Sequence, residues 1–283
     1  MPPQVTIGIP TCGRPAAIEA CLASIREHVT VEHRVIVVDS LLTDEATAEY
    51  ARHPNVRCIG FADPIGPSAA RKLISDAADT PYVLFLDDDN LMTPGSTEAL
   101  LAHLESHPEV EIAAGGWNQD GSLGKRALGQ YFHFGRMGER QVIYKSFVTI
   151  DAAERLELSS VRVDAVLATM MVRRRLFKDV GFDPQYDFFF ELWDFFMQCL
   201  ERGVHIDALP GVIFEHHPIP YTQTTRRQNS DTADDKRRFA EKWGLDPIGP
   251  SGPGAGAHQE TSEKRPALGR LGSWRRPAAP SGR

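Results

Sequence analysis

Short apolar runs alternate with helical patterns through the first 115 residues, and this alternation limits the available folds more than any other feature of the chain. Val5-Thr6-Ile7-Gly8-Ile9 reads as a strand stopped at Pro10. Pro15 suits a helical first turn, and Ile18, Cys21, Leu22, Ile25 and Val29 fall on one helical face. Residues 34–38 form a β-branched run, Thr43 with Asp44 and Glu45 starts a helix, and 55–61 reads as a further strand. A helix over 67–78, the strand 82–86, a helix opened by Thr93-Pro94 and the strand 111–115 complete the series. Such alternation predicts an α/β fold with a mixed, mostly parallel central sheet and helices on both faces. Ligands then collect beyond the C-terminal strand ends. Three of those ends are polar: Pro10-Thr11, Asp39 and Asp87-Asp88-Asp89-Asn90.

After Gly116 the pattern weakens. Residues 117–150, rich in glycine and aromatics, suggest irregular strands and loops, and 161–172 reads as a strand pair or one long strand. A helix over 191–202, a closing strand or two over 204–214 and a polar helix over 232–243 follow. The division expected is 1–116, 117–245 and a basic Gly/Pro/Ala-rich tail over 246–283. From Ser251 onward that tail holds six basic and two acidic residues and almost no large apolar side chain, so it cannot offset its ordering entropy.

The 283 residues carry 31 Lys+Arg and 38 Asp+Glu, a formal net charge of −7. That balance argues against a nucleic-acid partner, which needs a basic footprint. A hydrophobic fraction of 42% excludes global disorder. The four cysteines form no metal-binding pair, and with no secretory signal they suit a reducing, cytoplasmic setting. No apolar run approaches the ~20 residues of a membrane helix, which leaves peripheral membrane contact open.

Asp87-Asp88-Asp89 ends the apolar strand YVLFL. Three adjacent carboxylates repel one another, and a divalent cation with a taste for oxygen, Mg²⁺ or Mn²⁺, would relieve the repulsion. An exposed acidic turn capping the next helix is the alternative. Four segments in order settle the comparison: Pro10-Thr11-Cys12-Gly13-Arg14, Val38-Asp39 with Thr43-Asp44, Ala70-Arg71-Lys72, and Asp87-Asp88-Asp89. Together with GFDPQYDFFFELWDFFMQCLERG further on, they resemble glycosyltransferase family 2, with its GT-A fold, over about residues 4–217. The sequence departs from the family pattern at Cys12-Gly13, at Ser40-Leu41-Leu42 and at Lys72.

The resemblance implies a metal-dependent, inverting transfer of a sugar from a nucleotide-sugar donor to a saccharide, glycan or small-molecule acceptor. Pro10, Thr11 and Arg14 would line the nucleoside pocket, Asp39 the base, and Arg71 the pyrophosphate or sugar. Asp87 and Asp88 would lie on the donor, and Asp89 on Mn²⁺ or Mg²⁺. His216 or His217 would complete the metal site. Asp194 would be the general base, with Glu191 as the fallback. Trp193 and Trp117 would be acceptor walls, and Arg226-Arg227 would clamp the diphosphate. A nucleotide-sugar-binding protein without catalysis is the rival reading. A sugar nucleotidyltransferase would need a G-x-G-T-R loop, which is missing, and P-loop chemistry lacks its motif.

Overall fold

The computed structural model describes residues 4–53, 55–119, 126–187, 190–218 and 226–248. Strands β1 (Val5–Thr11), β2 (His33–Asp39), β3 (Val56–Gly60) and β4 (Tyr82–Phe85) alternate with helices α1 (Pro15–His28), α2 (Asp44–Tyr50) and α3 (Pro67–Ala77). Then come β5 (Asn90–Leu91), α4 (Ser96–Ser106) and β6 (Val110–Gln119). A hairpin of β7 (Ala127–Met137) and β8 (Arg140–Thr149) follows, with α5 (Ile150–Arg155), β9 (Val161–Arg162) and β10 (Met170–Arg173). The chain continues through α6 (Phe190–Glu201), β11 (His205–His216), α7 (Arg226–Trp243) and β12 (Asp246–Pro247).

The main sheet runs β3-β2-β1-β4-β10-β6-β11-β5, with β9 paired to β11 off that order. β1 to β4 are mutually parallel, and β6 is parallel to β11. β10 lies antiparallel between β4 and β6. The sheet is therefore mostly parallel, as the alternation predicts. Its two faces follow the period-two pattern of the strands. Val35, Val37, Leu84 and the Val5/Ile7/Ile9 side of β1 meet Ile18, Leu22 and Ile25 of α1 and Leu100 and Leu104 of α4. Ile36, Val38, Val83 and Phe85 meet Ala70 and Ile74 of α3 and Phe195, Phe196 and Cys199 of α6.

Gly8 governs one of these contacts. A Cβ there would stand 2.2 Å from Ile74 Cγ2, so the missing side chain lets α3 settle onto β1. That approach brings Arg71 of α3 over the strand ends.

Two expectations need correction. Residues 127–149 are not irregular, because β7 and β8 form an antiparallel ladder over them, with one register shift between Ala127 and Gly129. Glycine at 129 and 135 and the polar residues between the aromatics hide its alternation. Nor does the tail begin at 246. Asp246 and Pro247 pair with Val142 and Ile143 of β8, and Trp243 and Leu245 are buried. The rest of the expected tail lies outside the described residues. Sheet strands come from both sides of the 116/117 boundary, and β6 runs across it.

Candidate active site

Because β2, β1 and β4 are neighbours, their C-terminal ends form one rim. Thr11 is level with Asp39 there. At Gly13 (φ +58°) the chain turns through the left-handed region that glycine tolerates, and its N–H reaches Asp39 Oδ1 at 3.0 Å. Leu41 N–H reaches the same oxygen at 3.1 Å, and Tyr50 O–H donates to Oδ2 at 2.8 Å. Asp39 is 0% exposed and fastens the two loops that carry Gly13 and Leu41. Burial, then the Asp39 charge, raises the Tyr50 pKa and keeps that donor protonated. Pro10 is buried within β1, so its side chain belongs to the floor of the rim.

The three aspartates have different neighbours. Asp88 is buried, accepts from Thr11 Oγ1 at 2.5 Å and pairs with the Arg14 guanidinium. Burial pushes its carboxyl up to about 7, against the pull of Arg14 and Thr11. Burial disfavours the Arg14 cation, but Asp88, Asp89 and Asp87 outweigh that and raise its pKa. Asp87 accepts from Arg71 Nη2 at 2.7 Å, and Arg71 Nη1 donates at 3.0 Å to Glu191 Oε1 on α6. One buried guanidinium thus joins the acidic rim to α6. Glu191 is 4% exposed, its Oε2 has no hydrogen-bond partner among the described residues, and burial raises its pKa against the opposing charge of Arg71.

Asp89 is met by the far strand. β5 pairs with Glu215 and His216 of β11, which sets His216 Nε2 3.8 Å from Asp89 Oδ1. His217 donates its backbone N–H to the Asp89 carbonyl at 2.8 Å, so His216 is the histidine whose ring faces this carboxylate. Trp117 stacks on His216 at 4.2 Å between centroids and donates its indole N–H to Thr169 Oγ1 at 3.2 Å. At 8% exposure it backs the histidine and is not an open acceptor wall.

Two further expectations on α6 change. Trp193 is buried against Phe132, Phe190 and Phe239, with Lys145 Nζ 4.0 Å from its ring centroid. Asp194 is 0% exposed. It accepts from Trp243 Nε1 at 2.9 Å and Gln198 Nε2 at 2.8 Å, and pairs with Lys242 Nζ at 2.8 Å. Its carboxylate bolts α7 to α6. The side chains of Arg226 and Arg227 lie outside those described.

Among the described residues, no three His, Cys, Asp or Glu side chains surround a common point. The chain offers a carboxylate and an imidazole, Asp89 and His216, a donor pair that suits Mn²⁺ or Mg²⁺ when other positions come from phosphate or water.

The sheet order and its acidic rim define a GT-A-type fold, and solved structures share it. S. aureus TarS 1-349 in complex with UDP-GlcNAc matches at TM-score 0.60 and 16% identity, over 84% of this chain and 66% of that one. GalNAc-T7 with UDP, GalNAc and Mn2+ matches at TM-score 0.63 and 11% identity, over 85% of this chain and 48% of that one. Residues 6–181 match Glycosyl transferase family 2, and the chain belongs to that family. A beta-1,4 N-acetylgalactosaminyltransferase 2 of Mus musculus is 28% identical over 214 residues, which is 75% of this chain and 39% of the relative. An uncharacterized glycosyltransferase of Haemophilus influenzae is 26% identical over 109 residues, which is 38% of this chain and 37% of the relative. The aligned part thus spans less than two-fifths of either curated relative. Glu191 and His216 lie beyond the matched family segment.

Proposed function

We propose that the chain transfers a sugar from a nucleoside-diphosphate sugar, UDP-linked, to a hydroxyl acceptor on a saccharide or small molecule. The reaction is a single displacement with inversion. The acceptor oxygen bonds to the anomeric carbon while the bond from that carbon to the diphosphate oxygen breaks. Its electron pair leaves with the diphosphate, and the acceptor proton passes to Glu191 Oε2.

The Arg71 clamp carries this reading. It holds Glu191 beside Asp87, with one carboxylate oxygen fixed and the other, in a buried setting, without a partner among the described residues. Asp194 already accepts from three side chains of α6 and α7, so we assign the base to Glu191. Asp89 and His216 would hold Mn²⁺ or Mg²⁺, which when bound would offset the charge of the departing diphosphate. The UDP-GlcNAc of one structural neighbour and the UDP and Mn2+ of another support that donor and ion class. Scattered free thiols support a reducing compartment. Among the described residues no helix is long and apolar enough to cross a membrane.

Glu191→Gln tests the assignment. We expect kcat to fall by about 10²–10⁴ while calorimetric affinity for UDP is kept. Wild-type turnover in that variant would overturn the base. A protein that binds UDP-sugars and releases no UDP would be the non-catalytic binder.

A further inference from the structure

Asp89 and His216 give the proposed cation two donors, and among the described residues no third His, Cys, Asp or Glu joins them. One amide lies beside both. Asn90 follows Asp89 and opens β5, where it is the register partner of His216. Side chains directly opposite in an antiparallel pair leave the same face of the sheet, with Cβ atoms about 4.5–5.5 Å apart. The backbone fixes this meeting. Asn90 N–H donates to the Asp87 carbonyl at 3.0 Å, and His217 N–H donates to the Asp89 carbonyl at 2.8 Å. Asn90 Nδ2 then stands 3.4 Å from Asp89 Oδ1, the same oxygen that His216 Nε2 approaches to 3.8 Å.

The other end of the amide is stranded. Asn90 is 0% exposed, and its Oδ1 has no hydrogen-bond partner among the described residues. A buried carbonyl oxygen in that state is costly, so folded proteins keep few of them, and each needs a reason. An apolar side chain of similar size would avoid the cost. The separations around Asp89 supply a reason. Ligands at about 2.1 Å in an octahedral shell lie about 3 Å apart when adjacent and about 4.2 Å apart when opposite. The 3.4 and 3.8 Å distances fall between these. The terminal torsion of asparagine is broad, and half a turn exchanges its oxygen and nitrogen in place. That turn would set Oδ1 against Asp89 Oδ1, an arrangement of two oxygens that a cation between them favours.

Resting on the Asp89–His216 reading above, we infer that Asn90 is a third protein ligand of the cation site, giving its Oδ1 to Mn²⁺ or Mg²⁺. The site then presents one carboxylate, one imidazole and one amide oxygen, and phosphate or water takes the remaining positions. A neutral ligand suits this rim, because it adds a donor without a fourth negative charge beside Asp87, Asp88 and Asp89.

Mn²⁺ binding to the full chain, read from the electron paramagnetic resonance of the free ion with and without UDP, tests the assignment. Asn90→Leu keeps the volume and removes the oxygen, and should weaken Mn²⁺ binding by about 10–100-fold. Asn90→Ala removes the oxygen without the bulk of leucine, should weaken binding as much, and decides the matter if the leucine variant does not fold. Asn90→Asp keeps an oxygen at the same point and should hold Mn²⁺ at least as tightly as wild type. Wild-type affinity in the variants that lack the oxygen would overturn the inference. So would an equal loss in Asn90→Asp, which would trace the effect to the Nδ2 contact with Asp89. Asp89→Asn run alongside keeps the two readings apart. If it binds Mn²⁺ like wild type, the cation site itself is misplaced. If it loses the ion while Asn90→Leu and Asn90→Ala keep it, the role of Asn90 alone fails.

Discussion

Four of the carboxylates that the sequence singled out for the site divide by their neighbours. Asp39, Asp88 and Asp194 each accept hydrogen bonds from the protein's own side chains or backbone, and among the described residues Glu191 alone of the four keeps a buried oxygen without one. Asp194→Asn tests this division. It would remove one of the two carboxylates that Lys242 pairs with, Asp183 remaining at 3.1 Å, and we expect a loss of about 1–3 kcal/mol in unfolding free energy by urea titration. Turnover per folded molecule should stay near wild type, the opposite of Glu191→Gln. The acidic cluster, Arg71 and the α6 carboxylates were legible as chemistry-bearing residues, because their types and order carry a meaning of their own. Their duties were not legible. Lys242 and Trp243 lie 48 and 49 residues beyond Asp194, and nothing in local spacing announces that they fold back onto it. The seat of Lys145 was not legible either: a lone lysine among polar and aromatic residues gives no sign that its head lies on Trp193.

At the scale of elements, β1 to β4 and their helices were readable because burial on both faces demands continuous apolar runs in parallel strands. Direction was not readable. Met170-Met171-Val172 advertises burial, yet an apolar run carries no arrow, and β10 enters antiparallel between β4 and β6. The register of α3 on β1 makes a sharper test. Gly8→Val would drive a branched side chain into Ile74, and we expect a loss of about 1–3 kcal/mol in denaturant titration. Because α3 also carries Arg71, any displacement of the helix would pull the clamp from Glu191. In this variant kcat should therefore fall along with stability, which separates it from Asp194→Asn.

The whole molecule joins a donor-side rim to a helix and a strand from much later in the chain. Ligand linkage gives a global readout of that union. UDP with Mn²⁺ at a hundredfold excess over Kd should stabilise the fold by about 2.7 kcal/mol, measured as a rise in Tm. Chelation of the metal should remove part of that rise, and Asp89→Asn should remove the same part. A rise in Asp89→Asn equal to wild type would place the ion elsewhere.

The partners of the Arg71–Glu191 bridge stand 120 residues apart, and Asp89 meets His216 through the pairing of β5 with β11. A ribosome therefore makes the nucleotide cradle well before it makes the residues that would arm it. A nascent chain halted short of α6 would carry that acidic rim without the carboxylate and the imidazole that close it, Glu191 and His216.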